Sequence, residues 1–199
     1  MIKIAITTRN RLNVSKKCIE AIKKHSTIPH QIYIYDNLTT HKLENHFALW
    51  YGLLNDGHIH QVTFNTKEST FDAFSKAAAL NQFGRLHEED PKKDETDYLL
   101  IIDNDIIVTP GYDEILLKAW RQLNKLSKKY PELKNVKVIG QSPGGIKHGK
   151  KINYQIGEHN AVFGEFGGSA FWSTRSNFYN DVGYLNIKSV HQVNYFIIY

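Results

Sequence analysis

Over its first 140 residues the sequence alternates between short apolar runs and longer stretches whose apolar residues return at helical spacing. Ile2 to Ile6, Gln31 to Tyr35, Ile59 to Phe64, Tyr98 to Ile102 and Asn135 to Gly140 are too short for helices. They are rich in β-branched and aromatic residues, so each reads as a strand, with a further short one at Asp105 to Val108. Leu12, Val14, Cys18, Ala21 and Ile22 mark a first helix, with Lys23, Lys24 and His25 well placed at its carboxyl end. Leu43, Phe47, Trp50, Tyr51 and Leu54 mark a second, over residues 40–54. Ser69 with Asp72 three residues on opens a third, carrying Phe71, Phe74, Ala78, Phe83 and Leu86. A fourth runs from Tyr112 through Leu116, Trp120 and Leu123 to Tyr130. Such alternation predicts an α/β layered domain with a mostly parallel sheet and right-handed crossovers.

In a sheet of this kind ligands bind beyond the carboxyl ends of the strands. Three polar segments fall there: Thr7 to Arg11, Asp36-Asn37, and Asp103-Asn104-Asp105. The last follows five apolar or aromatic residues without a break, Tyr98 to Ile102. In an extended chain the side chains at i and i+2 point to the same side, so Asp103 and Asp105 are expected to project together. Two carboxylates that close repel unless one keeps its proton or a cation lies between them. A hard divalent ion with oxygen ligands, itself bridging a phosphate, meets that need. The plainer alternative is that both aspartates cap a turn or the helix that follows.

After Gly140 the composition shifts. Gln141 to Lys151 holds Pro143, three glycines and several basic residues, and reads as a mobile loop. Ile152 to Trp172, interrupted by Gly157, Gly164, Gly167 and Gly168, reads as hairpin strands, and Ser176 to Val182 as a short helix or turn. The expected organisation is one domain over 1–199, in two portions, 1–140 and 141–199.

Composition narrows the function classes. A net charge of +5, from 25 Lys and Arg against 20 acids, does not by itself argue for nucleic acid, and no nucleic-acid partner is expected. The single cysteine, Cys18, excludes an internal disulfide and a multi-cysteine zinc site, and its place on the apolar side of a helix makes it a core residue. No apolar run approaches the length of a membrane span, and no signal peptide is visible, so the expected setting is cytoplasmic, with peripheral membrane attachment open.

Taken together these landmarks resemble the GT-A nucleotide-sugar-dependent glycosyltransferases, most closely the family 2 group. Thr7-Thr8-Arg9-Asn10-Arg11 is similar to that family's opening Thr-x-Asn-Arg segment, and Tyr35-Asp36-Asn37 to its strand-end aspartate. Asn65, followed by Ser75-Lys76-Ala77, resembles its Asn-x-Gly and Ala-Arg-Asn stretches. Asp103-Asn104-Asp105 fits its Asp-x-Asp. Gly167-Gly168-Ser169-Ala170-Phe171, then Arg175, Phe178 and Val182-Gly183, resembles its acceptor-side block.

The resemblance implies a GT-A, Rossmann-like domain with a small antiparallel acceptor-side portion. It implies transfer of a sugar from a nucleoside diphosphate, expected to be UDP, to the hydroxyl of a glycan, lipid-linked or protein-linked acceptor, with inversion. Thr7, Thr8, Arg9, Asp36, Lys76, Asp103 and Asn104 would lie against the donor, and Asp103 and Asp105 would hold Mn²⁺ or Mg²⁺. Lys76 stands where Arg is usual and would meet the diphosphate as a point charge. For each there is a plain reading too: Thr8 ends a strand, Asp36 makes an Asx-turn, Lys76 sits on a solvated helix face. The sequence departs from the family at the Glu-Asp pair that supplies the base, reading Val190-His191-Gln192-Val193-Asn194-Tyr195 instead. His191 as base, His191 as a third metal ligand, Glu165 as base, and His191 as an ordinary histidine all stay open. The chain is short for this family, which implies a minimal enzyme or one domain of a longer polypeptide.

Two rival functions carry distinct expectations. A sugar-phosphate nucleotidyltransferase would place a glycine-rich phosphate loop after the first strand, and Thr7 to Arg11 has no glycine. A non-catalytic glycan- or nucleotide-binding module would bind without dependence on a metal.

Overall fold

A computed structural model describes residues 1–37, 43–65, 76–94, 96–141, 148–156, 159–165, 171–182, 184 and 194–198. The chain runs β1 (Ile2–Thr8), α1 (Leu12–His25), β2 (His30–Asn37), α2 (Leu43–Asn55), β3 (Gln61–Asn65), α3 (Lys76–Glu89), β4 (Tyr98–Asp103) and α4 (Tyr112–Leu126). A 3₁₀ turn at Pro131–Asn135 leads to β5 (Val138–Gln141), β6 (His148–Ile156), β7 (His159–Glu165), β8 (Phe171–Arg175), α5 (Phe178–Val182) and β9 (Asn194–Ile198). Among the described residues these strands form one sheet in the order β3-β2-β1-β4-β8-β5-β9-β7-β6.

The half formed by β3, β2, β1 and β4 is parallel throughout. β1, β2 and β4 are buried on both faces because helices cover both, whereas Gln61 to Phe64 of the edge strand β3 are half-buried. Ile2, Ile4 and Ile6 of β1 face one layer, where Cys18, Ile19 and Ile22 of α1, Trp50 of α2, and Leu116, Trp120 and Leu123 of α4 close a core. Ala5 of β1 with Leu99 and Ile101 of β4 faces the other layer, against Ala79, Leu80 and Phe83 of α3 and Phe178 and Tyr179 of α5. The second face is close-packed: a Cβ on Gly84 would come within 2.6 Å of the Tyr179 ring, whose hydroxyl is fixed by Leu80 O at 2.6 Å. The expected α/β layering and parallel sheet are therefore present.

The other half carries the antiparallel portion. β8 runs antiparallel to both β4 and β5, β6 and β7 form a hairpin, and β9 lies antiparallel to β7 and parallel to β5. Several sequence expectations change here. Asp105 to Val108 is not a strand: the chain turns at Asn104-Asp105 as Ile106 N–H reaches back to Asp103 O at 3.1 Å. The segment expected as a loop to Lys151 ends sooner, because His148 to Lys151 belong to β6 and pair toward β7. Asn194 to Ile198 is an interior strand. Ser69, Phe71, Asp72 and Phe74, and the block Gly167 to Ala170, lie outside the described residues. Among the described residues no helix is long and apolar enough to cross a membrane.

Candidate functional site

Register brings the polar strand ends side by side. Thr7 of β1 is opposite Asp103 of β4, and Thr8 is opposite Asp36 of β2. With strands about 4.8 Å apart, the three ends span roughly 10 Å, the breadth of one small ligand. The side chains then part ways. Asp103 is half-buried and Asp105 is 49% exposed, whereas Asn104 between them is buried.

Asn104 points inward because it has partners there. Its Nδ2 donates to Thr8 Oγ1 at 3.1 Å and to Ser15 Oγ at 2.8 Å. The two hydroxyls are themselves 2.7 Å apart, and Ser15 Oγ donates to Arg11 O at 2.9 Å, which leaves Thr8 as the donor to Ser15. Every hydrogen in this buried set has an acceptor. The network ties the carboxyl end of β1, the first turn of α1 and the turn after β4 into one unit. Asp103 and Asp105 thus flank an anchored residue. Asp103 closes β4 and the chain turns at Asn104-Asp105 instead of staying extended as expected, and Asn104, expected against the donor, is buried while Asp105 is exposed.

The β1–α1 loop supplies the opposing charge. Asn10 adopts φ 54°, a left-handed conformation that asparagine tolerates better than most residues, and it turns the chain into α1. Arg11 follows as the N-cap, its carbonyl accepting Ser15 N–H at 2.9 Å. Its side chain, 58% exposed, crosses to the other loop, where Nη1 donates to Asp105 Oδ2 at 2.9 Å. Behind the pair, Cys18 Sγ lies 3.9 Å from Asp103 O. Burial pushes this thiol up to about 12, and the charges of Asp105 and Asp103 both push in the same direction. Both carboxylates therefore act on one buried point.

Asp36 has a different situation. It is 1% exposed, and its Oδ2 accepts from Trp50 Nε1 and from His46 Nδ1, each at 2.9 Å, so this carboxylate joins β2 to α2. Thr8 is likewise buried in the network described above, while Thr7 is half-buried and Arg9 exposed. Lys76 opens α3, but its side chain lies outside what is described. Glu165 ends β7 with its backbone opposite His148 of β6 and Asn194 of β9, and its side chain is also outside the described set. His191 lies outside the described residues. Sequence reasoning named Arg11 only within the segment Thr7 to Arg11 and did not single out Ser15, His46 or Trp50 as site residues. The i, i+4 spacing of His46 and Trp50 places both on one face of the helix, which is the sequence signal that they face the same neighbour.

The donor set suits a hard divalent cation. Asp103 and Asp105 offer carboxylate oxygens, and the Arg11 guanidinium already stands on Asp105 as a positive charge. Among the described residues no group of three or more His, Cys, Asp or Glu side chains is arranged to hold a metal. A cation here would draw further oxygens from its ligand or from water.

No protein-family model and no curated protein matches the sequence. Solved structures do match. The mannosyltransferase PcManGT from Pyrobaculum calidifontis, in complex with GDP-Man and Mn²⁺, aligns with 94% of this chain and 47% of its own at 12% identity and TM-score 0.53. TarS 1–349 from S. aureus aligns with 94% of this chain and 50% of its own at 11% identity and TM-score 0.55. GalNAc-T7 with UDP, GalNAc and Mn²⁺ aligns with the whole of this chain, 100%, and 42% of its own, at 10% identity and TM-score 0.61. The chain spans about half the length of these proteins or less. At such identities the likeness is one of fold, and the fold is the GT-A fold of nucleotide-sugar glycosyltransferases.

Proposed function

We propose that this chain is a glycosyltransferase that moves a sugar from a UDP-linked donor to an acceptor hydroxyl, with inversion and with Mn²⁺ or Mg²⁺ held by Asp103 and Asp105. The observation that carries the reading is the anchored turn after β4. It presents two carboxylates beside the end of β1, in a fold whose solved examples include complexes with GDP-Man or UDP and Mn²⁺. Oxygen donors of this kind suit a cation that also contacts a diphosphate. Such a cation, when bound, offsets the negative charge that grows on the departing diphosphate.

The chain's own groups have separable tasks. Asn104, Thr8 and Ser15 keep the turn fixed, so that no reorganisation is needed when charge develops. Thr7 and Arg9, at the open end of β1, would line the donor, and Lys76 would face the diphosphate. Asp36 would act on the nucleoside through the strand end that it stabilises. The proton of the acceptor hydroxyl would be taken by His191 or Glu165, and the acceptor would be a glycan or a lipid- or protein-linked group. A cytoplasmic setting belongs to the same reading.

Calorimetry with UDP and GDP, with and without Mn²⁺, tests the reading, followed by donor hydrolysis across a panel of nucleotide sugars. The expected result is metal-dependent diphosphate binding that Asp105→Asn weakens at least tenfold. Binding that ignores both the metal and Asp105→Asn would instead describe a binding module. His191→Ala and Glu165→Gln distinguish the two bases: loss of transfer with unchanged UDP affinity marks the base, and loss of Mn²⁺ affinity in His191→Ala marks a ligand.

A further inference from the structure

The Arg11 side chain belongs to neither the Asn104 network nor either core, yet its guanidinium sits 2.9 Å from the carboxylate most open to solvent at the site. Its backbone has a fixed structural task, since Arg11 O caps the first turn of α1 through both the N–H and the hydroxyl of Ser15. Its side chain does not. An ion pair with partners 58% and 49% exposed is screened by water and adds little to stability, so the guanidinium can leave at little cost. A bond that weak contributes little to the fold and is well suited to exchange.

The charges decide what the exchange does. Asp103, Asp105 and Arg11 together carry one net negative charge. A divalent cation entering alone meets the guanidinium at close range and must displace it or share Asp105 with it. When a nucleoside diphosphate enters with the cation, the added negative charge reverses the sign of Arg11's contribution. Displaced from Asp105, a guanidinium on this loop is free to pair with phosphate oxygens, where its fork of donors fits.

We infer that Arg11 is a placeholder cation that makes metal binding conditional on the diphosphate: it opposes the free metal and favours the metal–diphosphate pair. The inference rests on the proposed metal-dependent diphosphate site. By linkage, such a side chain raises the coupling between the two ligands without touching the sugar that is transferred.

The test is calorimetric and needs no turnover. MnCl₂ alone is titrated into wild type, Arg11→Gln and Arg11→Lys, and UDP is then titrated into each at saturating Mn²⁺. In Arg11→Gln the affinity for Mn²⁺ alone is expected to rise about three- to tenfold, while UDP affinity falls by about the same factor. Arg11→Lys, which keeps the charge and loses the fork, should hold Mn²⁺ affinity near wild type and recover part of the UDP affinity. Two changes of opposite sign are not the result of a merely damaged loop, which weakens both. Unchanged or weakened Mn²⁺ binding in Arg11→Gln, with UDP still bound in a metal-dependent way, overturns the placeholder role and leaves the function standing. Absence of any Mn²⁺-dependent UDP binding in wild type overturns both.

Discussion

Two parallel strands of this molecule run into the same pair of residues, Asp36-Asn37 at the end of β2 and Asp103-Asn104 where β4 closes, and put it to opposite uses. At the end of β2 the fold takes the acid: α2 brings His46 and Trp50 over Asp36, and the carboxylate vanishes into the core. At the end of β4 the fold takes the amide: Asn104 is drawn in by Thr8 and Ser15, and of the acids on either side Asp103 is half-buried and Asp105 exposed. The lesson is that an Asp-Asn pair at a strand end does not declare its role. What decides is whether a neighbouring helix offers hydrogen-bond donors or hydroxyl acceptors to that spot.

The contrast is exposed to direct attack. Asp36→Ala strips the acceptor from two buried donors, so it should cost about 3–4 kcal/mol in urea unfolding, whereas Asp105→Ala should stay within about 1 kcal/mol of wild type. Equal costs would erase the distinction between the two ends. Asn104→Asp replaces the buried donor pair with a carboxylate beside two hydroxyls, and a loss of about 1–2 kcal/mol is expected, with weaker Mn²⁺–UDP binding as its companion. If Asn104→Asp is neutral in both assays, the anchored turn is not what presents the acids.

Smaller effects follow from pH. The Cys18 thiol is neutral in the fold up to about 12 against an ordinary 9.0, so folding stability from this group is complete below pH 9 and declines as pH rises from 9 toward 12. Burial also pushes the Tyr33 and Tyr112 hydroxyls up to about 12 from 10.0, which steepens the same alkaline decline. On the acid side His87 is held below its usual 6.5, mainly by burial, so its contribution is complete above pH 6.5 and fades as pH falls below it. Urea midpoints measured from pH 5 to 11 should trace a plateau with both shoulders. The finest probe is thiol labelling: Cys18 should resist iodoacetamide at pH 8, and Asp105→Asn should lower its pKa slightly by removing one of the two charges above it.

Much of this was legible beforehand, and the reasons are local. Strands such as Tyr98–Asp103 and helices such as α1 and α4 announce themselves because burial on two faces or one forces a periodicity that any reader can count. That the polar segments after β1, β2 and β4 would meet followed from parallel topology alone. What periodicity does not carry is the direction of a single side chain at a turn. Asn104 faces inward because of Ser15, which is far from it in sequence, and Asp36 is buried because of Trp50 on the next helix. Both are matters of packing between elements. The C-terminal portion was harder for a further reason: outside the β6–β7 hairpin its strands pair with partners distant in the chain, so nothing near Asn194 marks it as part of a sheet.

The placement of β9 has a consequence for how the molecule is made. Among the described residues, the β6–β7 hairpin reaches the rest of the sheet through β9, and Val138 meets Tyr195 across roughly sixty residues of chain. During synthesis the parallel half has all its strands early, while the hairpin must wait for a segment that leaves the ribosome last of those described. The late arrival is the clasp, and until it closes, β5 and β7 each offer a bare edge to any neighbouring nascent chain.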